Sequence, residues 1–279
     1  MWAISIMNIL FSNHSLTNYR QLLSKSLAFV PTMGALHDGH LSLVEEAKKS
    51  CENVIVSIFV NPLQFNNLED LRKYPRTIQK DLDLLKQAGV NAVFLPSYET
   101  IYPTNQEFNI QLSNNSVESV FEGQFRPGHF NGVIQVLHRF FSLIEPNEVY
   151  FGQKDLQQCM VVKILIDEYF KHIKFNIVPT KREESGLAMS SRNMRLTNDE
   201  LICANQIYQS LLSLKNKEVY SQTDCEFEIQ RLNDFGLKTE YLSYVNLPNM
   251  EITSAKNENQ AIVYAGFLGN IRLIDNLLL

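Results

Sequence analysis

Cysteine is scarce in this chain and follows no pattern. Cys51, Cys159, Cys203 and Cys225 are scattered, form no C-x-x-C pair and match no metal-ligand spacing. That excludes a zinc ribbon or a disulfide framework and predicts reduced thiols in a cytosolic protein. Long apolar runs are missing as well: no uninterrupted stretch approaches the roughly 18 to 20 residues that a membrane-spanning helix needs. The opening MWAISIMNILF has no basic head, is interrupted by Asn8 and leads to no small-residue cleavage site, so an export signal is not expected. Nor is there an excess of positive charge, since 25 Lys and Arg face 30 Asp and Glu for a formal net charge of -5. A broad nucleic-acid surface requires dense exposed cations, so an anionic ligand here must meet a local basic pocket. Internal repeats, low-complexity tracts and flexible linkers are also absent. The expectation is a soluble, cytoplasmic chain with neither membrane nor nucleic acid as partner.

What is present is enough apolar material, 45% of 279 residues, to bury a sizeable core at a length where one domain tends to become two. Short β-branched and aromatic runs recur at 27–30, 54–60, 92–95, 149–151 and 175–178, as buried strands do. Between them, 41–49, 78–88, 133–144 and 156–169 carry apolar residues at three- and four-residue spacing, which predicts helices and hence an α/β fold with a Rossmann-like parallel sheet over 1–180. Beyond residue 180 the helical stretches 199–214 and 225–233 are followed by strand-like runs at 241–246, 261–266 and 271–274. This pattern predicts a smaller C-terminal α+β domain over 181–279.

In parallel sheets ligands gather beyond the carboxyl ends of the strands, and the unusual residues of this chain cluster there. In PTMGALHDGHLSLV, Pro31 to Val44, a strand runs through a Gly-containing turn into a helix opening near Gly39. His37 and His40 therefore stand at a helix N-terminus, where free N–H groups and the helix dipole already favour phosphate and two imidazoles add donors. Two surface histidines at a helix start are the plainer alternative. In SIFVNPLQF, Asn61 and Gln64 follow a buried strand, where neutral amides can bind hydroxyl and carboxylate groups without repelling a triphosphate; an Asn-Pro turn with a surface Gln is the alternative. YFGQKDLQQ repeats the strand, Gly and helix design, with Gly152 permitting close backbone approach and Lys154 as a point charge. In GLAMSSRN, Ser190, Ser191 and Arg192 combine two hydroxyls with a planar guanidinium, a clamp for charge on transferring phosphates or simply a helix-capping Ser run.

The first of these segments resembles the H-x-G-H signature of the nucleotidylyltransferase superfamily, and the flanking PTMGALH is similar to that of the pantothenate synthetase family. SIFVNPLQF, YPRT (Tyr74 to Thr77), RPGHFNGV (Arg126 to Val133), YFGQKDLQQ and GLAMSSRN resemble the same family in the same order. The likeness spans about Pro31 to Asn193; beyond it the match is one of length and general pattern. It implies an ATP-dependent, AMP-forming ligase that joins pantoate to β-alanine through a pantoyl adenylate, with Mg2+ and as a homodimer. Catalysis would fall to His37, His40, Lys154, Ser190, Ser191 and Arg192. ATP would be bound by these together with Met33, Gly152, Asp155, Lys181 and Met189. Pantoate would meet Met33, Asn61, Gln64 and Gln158, and β-alanine would also meet Gln64. Asp81, four residues beyond YPRT, would approach the ATP-bound magnesium, and His129 would stand behind the direct contacts. The family usually has Glu where this chain has Gln153. Another enzyme of the superfamily, or a nucleotide-binding protein without turnover, is the alternative. Met7 is a second candidate start, because MNILFSN resembles the ordinary N-terminus of such enzymes.

Overall fold

The computed structural model describes residues 7–104, 109–113 and 116–279; of the two candidate starts, Met1 lies outside them and Met7 inside. The chain divides into two compact units, one running to Gly152 and resuming over Val161–Val178, the other comprising Gln153–Met160 and Pro179–Leu279. The sequence pattern suggested a single break at residue 180. The difference is that Gln153–Met160, which carries Lys154, Asp155 and Gln158, packs with the C-terminal unit.

The strands of the first unit are β1 (Asn8–Leu10), β2 (Leu27–Thr32), β3 (Asn53–Ile58), β4 (Ala92–Phe94), β5 (Glu148–Gly152) and β6 (Lys174–Val178). They form a parallel sheet in the order β1-β4-β3-β2-β5-β6. Strand order therefore reverses between β2 and β5, which pair through Ala28 with Glu148 and Phe29 with Val149. That switch point opens a crevice beyond the carboxyl ends of both strands. The expected strands correspond to β2 through β6; β1 was missed because it is three residues long with two of them exposed.

Residues 27–30 of β2 are wholly buried, as expected of a strand covered on both faces. On one face Ala28 and Val30 pack with Leu43, Val44 and Ala47 of the helix Asp38–Ser50. On the other, Phe29 meets Phe140 and Phe141 of the helix His129–Ile144 edge to face, at centroid distances of 5.4 and 6.4 Å. Burying each such ring contributes about 1.5–3 kcal/mol, so the two helices are held against β2 by alternate residues of one short strand. The sheet edge is thereby a rigid base for the segments that leave it.

In the second unit β7 (Leu237–Asn246), β8 (Glu251–Ile252), β9 (Gln260–Leu268) and β10 (Ile271–Leu278) form an antiparallel sheet in the order β10-β9-β7-β8. Helices Asn198–Ala204, Gln206–Lys215 and Gln222–Asp234 supply Leu211, Leu214 and Leu232 to a core shared with Leu242, Tyr244, Ile262 and Tyr264 of the strands. The single helical stretch expected over 199–214 is two helices meeting at Asn205, which ends the first and begins the second. All four cysteines are free thiols. Among the described residues no helix is long and apolar enough to cross a membrane.

Candidate active site

The segment leaving β2 is shaped by its backbone. Gly34 and Ala35 both take positive φ, 81° and 51°, a left-handed turn that glycine adopts freely and alanine at a cost. A β-carbon on Gly34 would also lie 3.0 Å from the Asp81 carboxylate. That carboxylate holds the turn: Oδ2 accepts the Ala35 N–H at 3.0 Å, and Oδ1 accepts the Leu36 N–H at 2.9 Å and the Thr77 hydroxyl at 3.1 Å. Asp81 is 1% exposed. Two of its three hydrogen bonds tie this buried carboxylate to the turn that carries the histidines, and the third comes from Thr77.

The turn ends at His37, the N-cap of the helix Asp38–Ser50. His37 Nδ1 accepts the Gly39 N–H at 3.1 Å, and the His37 N–H points at His40 Nδ1 at 3.4 Å. A nitrogen that receives an N–H cannot carry the ring proton, so both protons fall on Nε2. The imidazoles lie 4.1 Å apart between centroids. Capping thus fixes the tautomer of two donors beside a helix N-terminus, where the dipole favours an anion.

Beyond β3, Asn61 caps the turn Pro62–Gln64. Its Nδ2 donates to the Gly132 carbonyl at 2.9 Å and to Gln64 Oε1 at 3.2 Å, while its Oδ1 accepts from the Tyr102 hydroxyl at 3.2 Å and the Leu63 N–H at 3.3 Å. With 1% exposure, Asn61 orients Gln64, whose Nε2 then faces Met33 Sδ at 3.0 Å. His129, 6% exposed, meets the Gln64 carbonyl through Nδ1 at 2.8 Å and Arg126 through Nε2 at 3.1 Å. Gly132 permits this packing, because a β-carbon there would fall 2.3 Å from the Leu63 carbonyl oxygen. Met33, His37, His40, Asn61, Gln64 and Asp81 are thus brought to the carboxyl edge of the parallel sheet. Nothing in the sequence pattern singled out Tyr102, and Arg126 was named only as the first residue of RPGHFNGV.

In the second unit Lys154 sits in the turn Gln153–Asp155, its Nζ 3.7 Å from Asp155 Oδ1 and its side chain 19% exposed. Gln158 is half-buried in the first turns of the helix Leu156–Tyr169. Residues 181–189 fold back on themselves: the Met189 N–H donates to the Lys181 carbonyl at 3.0 Å and Arg182 bridges Ala188. This short hairpin delivers Ser190, whose Oγ accepts the Arg192 N–H at 3.2 Å and caps the turn Ser191–Arg195. The capping alternative for the Ser pair is therefore realised. Ser191 is buried and Arg192 half-buried; Lys181 is exposed. Gly152, at the end of β5, has nothing within 4 Å of where a β-carbon would be, so space alone does not demand glycine there.

Three side chains absent from the sequence-based site tie these parts together. Asn276 Nδ2 donates to the carbonyls of Gln153 and Lys154, both at 2.9 Å, and Gln153 Nε2 returns a bond to Asn276 Oδ1 at 3.1 Å. Arg182 grips Asp275 through two nitrogens at 2.6 and 3.0 Å. Burial pushes the Asp275 carboxyl up from its ordinary value, and Arg182 opposes that shift. The only local signals were a lone Arg in KRE and an Asp-Asn pair in an apolar run, neither of which names a partner.

The family model for pantoate-beta-alanine ligase matches residues 8–278. A pantothenate synthetase of Alteromonas mediterranea is 41% identical over 257 residues, 91% of this chain and 91% of the relative. One from Francisella tularensis subsp. novicida is 38% identical over 265 residues, 95% and 94% of the two chains. Among solved structures, a pantothenate synthetase of Thermus thermophilus superposes with a TM-score of 0.91 at 36% identity, covering 97% of this chain and 99% of that one. A pantoate-beta-alanine ligase from Francisella tularensis, complexed with beta-gamma ATP and beta-alanine, gives 0.84 at 37% identity with 98% of each chain covered.

Proposed function

The chain belongs to the pantoate-beta-alanine ligase family, and from that premise we propose how its own residues divide the work of joining pantoate to β-alanine at the expense of ATP. The observation that carries the reading is the pair of imidazoles locked by the helix cap with their protons on Nε2. In the first half-reaction a pantoate carboxylate oxygen attacks the α-phosphorus of ATP. The bond from that phosphorus to the bridging oxygen breaks, and pyrophosphate leaves with the electron pair. A carboxylate is already ionised at neutral pH, so this step needs no general base. It needs alignment and donors aimed at developing charge.

His37 and His40 supply such donors; Lys154, Ser190, Ser191 and Arg192 are the proposed source of cations and hydroxyls. Met33, Gly152, Asp155, Lys181 and Met189 complete the proposed ATP set. Gln64 and Met33, with Asn61 orienting the amide, are proposed to hold pantoate together with Gln158. In the second half-reaction the β-alanine amine attacks the acyl carbon of the mixed anhydride, AMP leaves, and the amine gives up a proton. Gln64 is the proposed contact for β-alanine.

ATP enters as its magnesium complex, the ion carried on the phosphates as is usual for this cation. Asp81 would be the carboxylate that approaches that ion. Among the described residues no group of three or more His, Cys, Asp or Glu is arranged to hold a metal. The proposed setting is the cytoplasm and the proposed assembly a homodimer, which sedimentation decides. The test of the reaction is AMP release: it is expected only when pantoate, β-alanine and ATP are all present. AMP release that ignores pantoate would overturn the substrate assignment and favour another enzyme of the superfamily.

A further inference from the structure

In β10 the polar pair Asp275–Asn276 sits between Leu273–Ile274 and Leu277–Leu278. Asp275 and Asn276 are 4% and 2% exposed, Gln153 is 9% exposed, and all are hydrogen-bonded. A buried polar network is costly unless each member is satisfied, and a satisfied one fixes geometry. The orientation of the Asn276 amide is set by its neighbours. Two carbonyls can only accept, so Nδ2 faces them, and Oδ1 faces the Gln153 amide donor.

This amide holds the two successive carbonyls that flank the Lys154 α-carbon, in the turn that presents the Lys154 ammonium. Its neighbour does the same for the other phosphate segment. Asp275 binds Arg182, whose guanidinium also donates to the Gly186 carbonyl at 3.0 Å and the Asn276 carbonyl at 3.2 Å and lies 3.9 Å over the Tyr208 ring. Arg182 is one strand of the hairpin that leads into Ser190–Arg192. Asp275 Oδ1 takes the Asn276 N–H at 2.7 Å as well, so the two clamps share one peptide.

We propose that Asn276, with the Asp275–Arg182 pair beside it, is a positioning residue for ATP binding: it sets the Lys154 turn, and through the shared peptide registers that turn with the Ser190–Arg192 segment. The inference rests on the assignment of Lys154 to ATP. No atom of Asn276 has to touch the nucleotide.

The test compares Asn276→Ala, Lys154→Ala and the double variant by steady-state kinetics in the full-length enzyme. Removing three hydrogen bonds to the turn, two of them to its backbone, is expected to raise KM for ATP by about 10-fold in Asn276→Ala, with KM for pantoate unchanged within about 2-fold. Since Asn276 acts through Lys154, the same change in the Lys154→Ala background is expected to move KM for ATP by less than about 2-fold. Fully additive effects, or equal rises in both KM values, would overturn the inference. If Lys154→Ala itself leaves ATP kinetics intact, the ATP assignment of Lys154 fails, and the inference with it. If Lys154→Ala weakens ATP and Asn276→Ala does not, only the positioning role fails. Should Asn276→Ala not fold, Gln153→Met removes only the bond that orients the amide. It is expected to raise KM for ATP about 3-fold, and no change there would count against the proposal.

Discussion

His37 spends Nδ1 on the Gly39 N–H and His40 turns Nδ1 toward the His37 N–H, so each ring carries its proton on Nε2. The consequence is specific to chemistry rather than folding. His40→Ala is expected to lower turnover by on the order of 10²- to 10³-fold, as loss of an oriented donor to transition-state charge does. Steady-state kinetics would check it, and near-normal turnover would remove His40 from the mechanism. The H-x-G-H spacing made both histidines legible from the sequence. Asp81 and Asn61 were legible as positions but not as roles. An acidic residue on a helix reads alike whether it faces water or closes a turn. Two of the three partners of Asp81 lie 45 and 46 residues away, beyond any local pattern. Asn61 likewise reaches the Gly132 carbonyl across 71 residues.

Elements were read best where a face is buried. The helix expected over 156–169 spans Leu156–Tyr169, and that expected over 133–144 begins one turn earlier, at His129 behind the left-handed Gly128. Apolar spacing misses the first turn, where Phe130 is the single large apolar residue although His129, Phe130 and Gly132 are all buried. Within the helix His129–Ile144, His138 packs edge to face against Tyr169 and Phe170 at 5.5 and 5.1 Å, and its buried Nδ1 has no partner. Burial, with Arg139 adjacent, lowers its pKa from 6.5. A histidine depressed in the folded state takes up its proton more readily when unfolded. Its contribution is present above the unfolded value and is lost as pH falls from about 6.5 through the folded pKa. In His138→Phe, urea melts across this range are expected to show a shallower loss of stability on acidification than the parent chain. An unchanged slope would mean that His138 is protonated equally in both states.

At the scale of the whole molecule, alternating strands and helices made the parallel sheet readable, and the change of pattern near residue 180 made a second unit readable. Composition could not reveal that Gln153–Met160 packs with that second unit. The reason is a set of long-range bonds, since Asn276 reaches the Gln153 carbonyl across 123 residues. The central claim of the proposed reaction is that pantoate is activated as an adenylate before any amine arrives. Exchange of labelled pyrophosphate into ATP, run with magnesium and pantoate and without β-alanine, isolates that step. Exchange that depends on pantoate is the predicted result. Its absence in a preparation that still releases AMP once β-alanine is added would contradict the adenylate and require a concerted or differently ordered reaction.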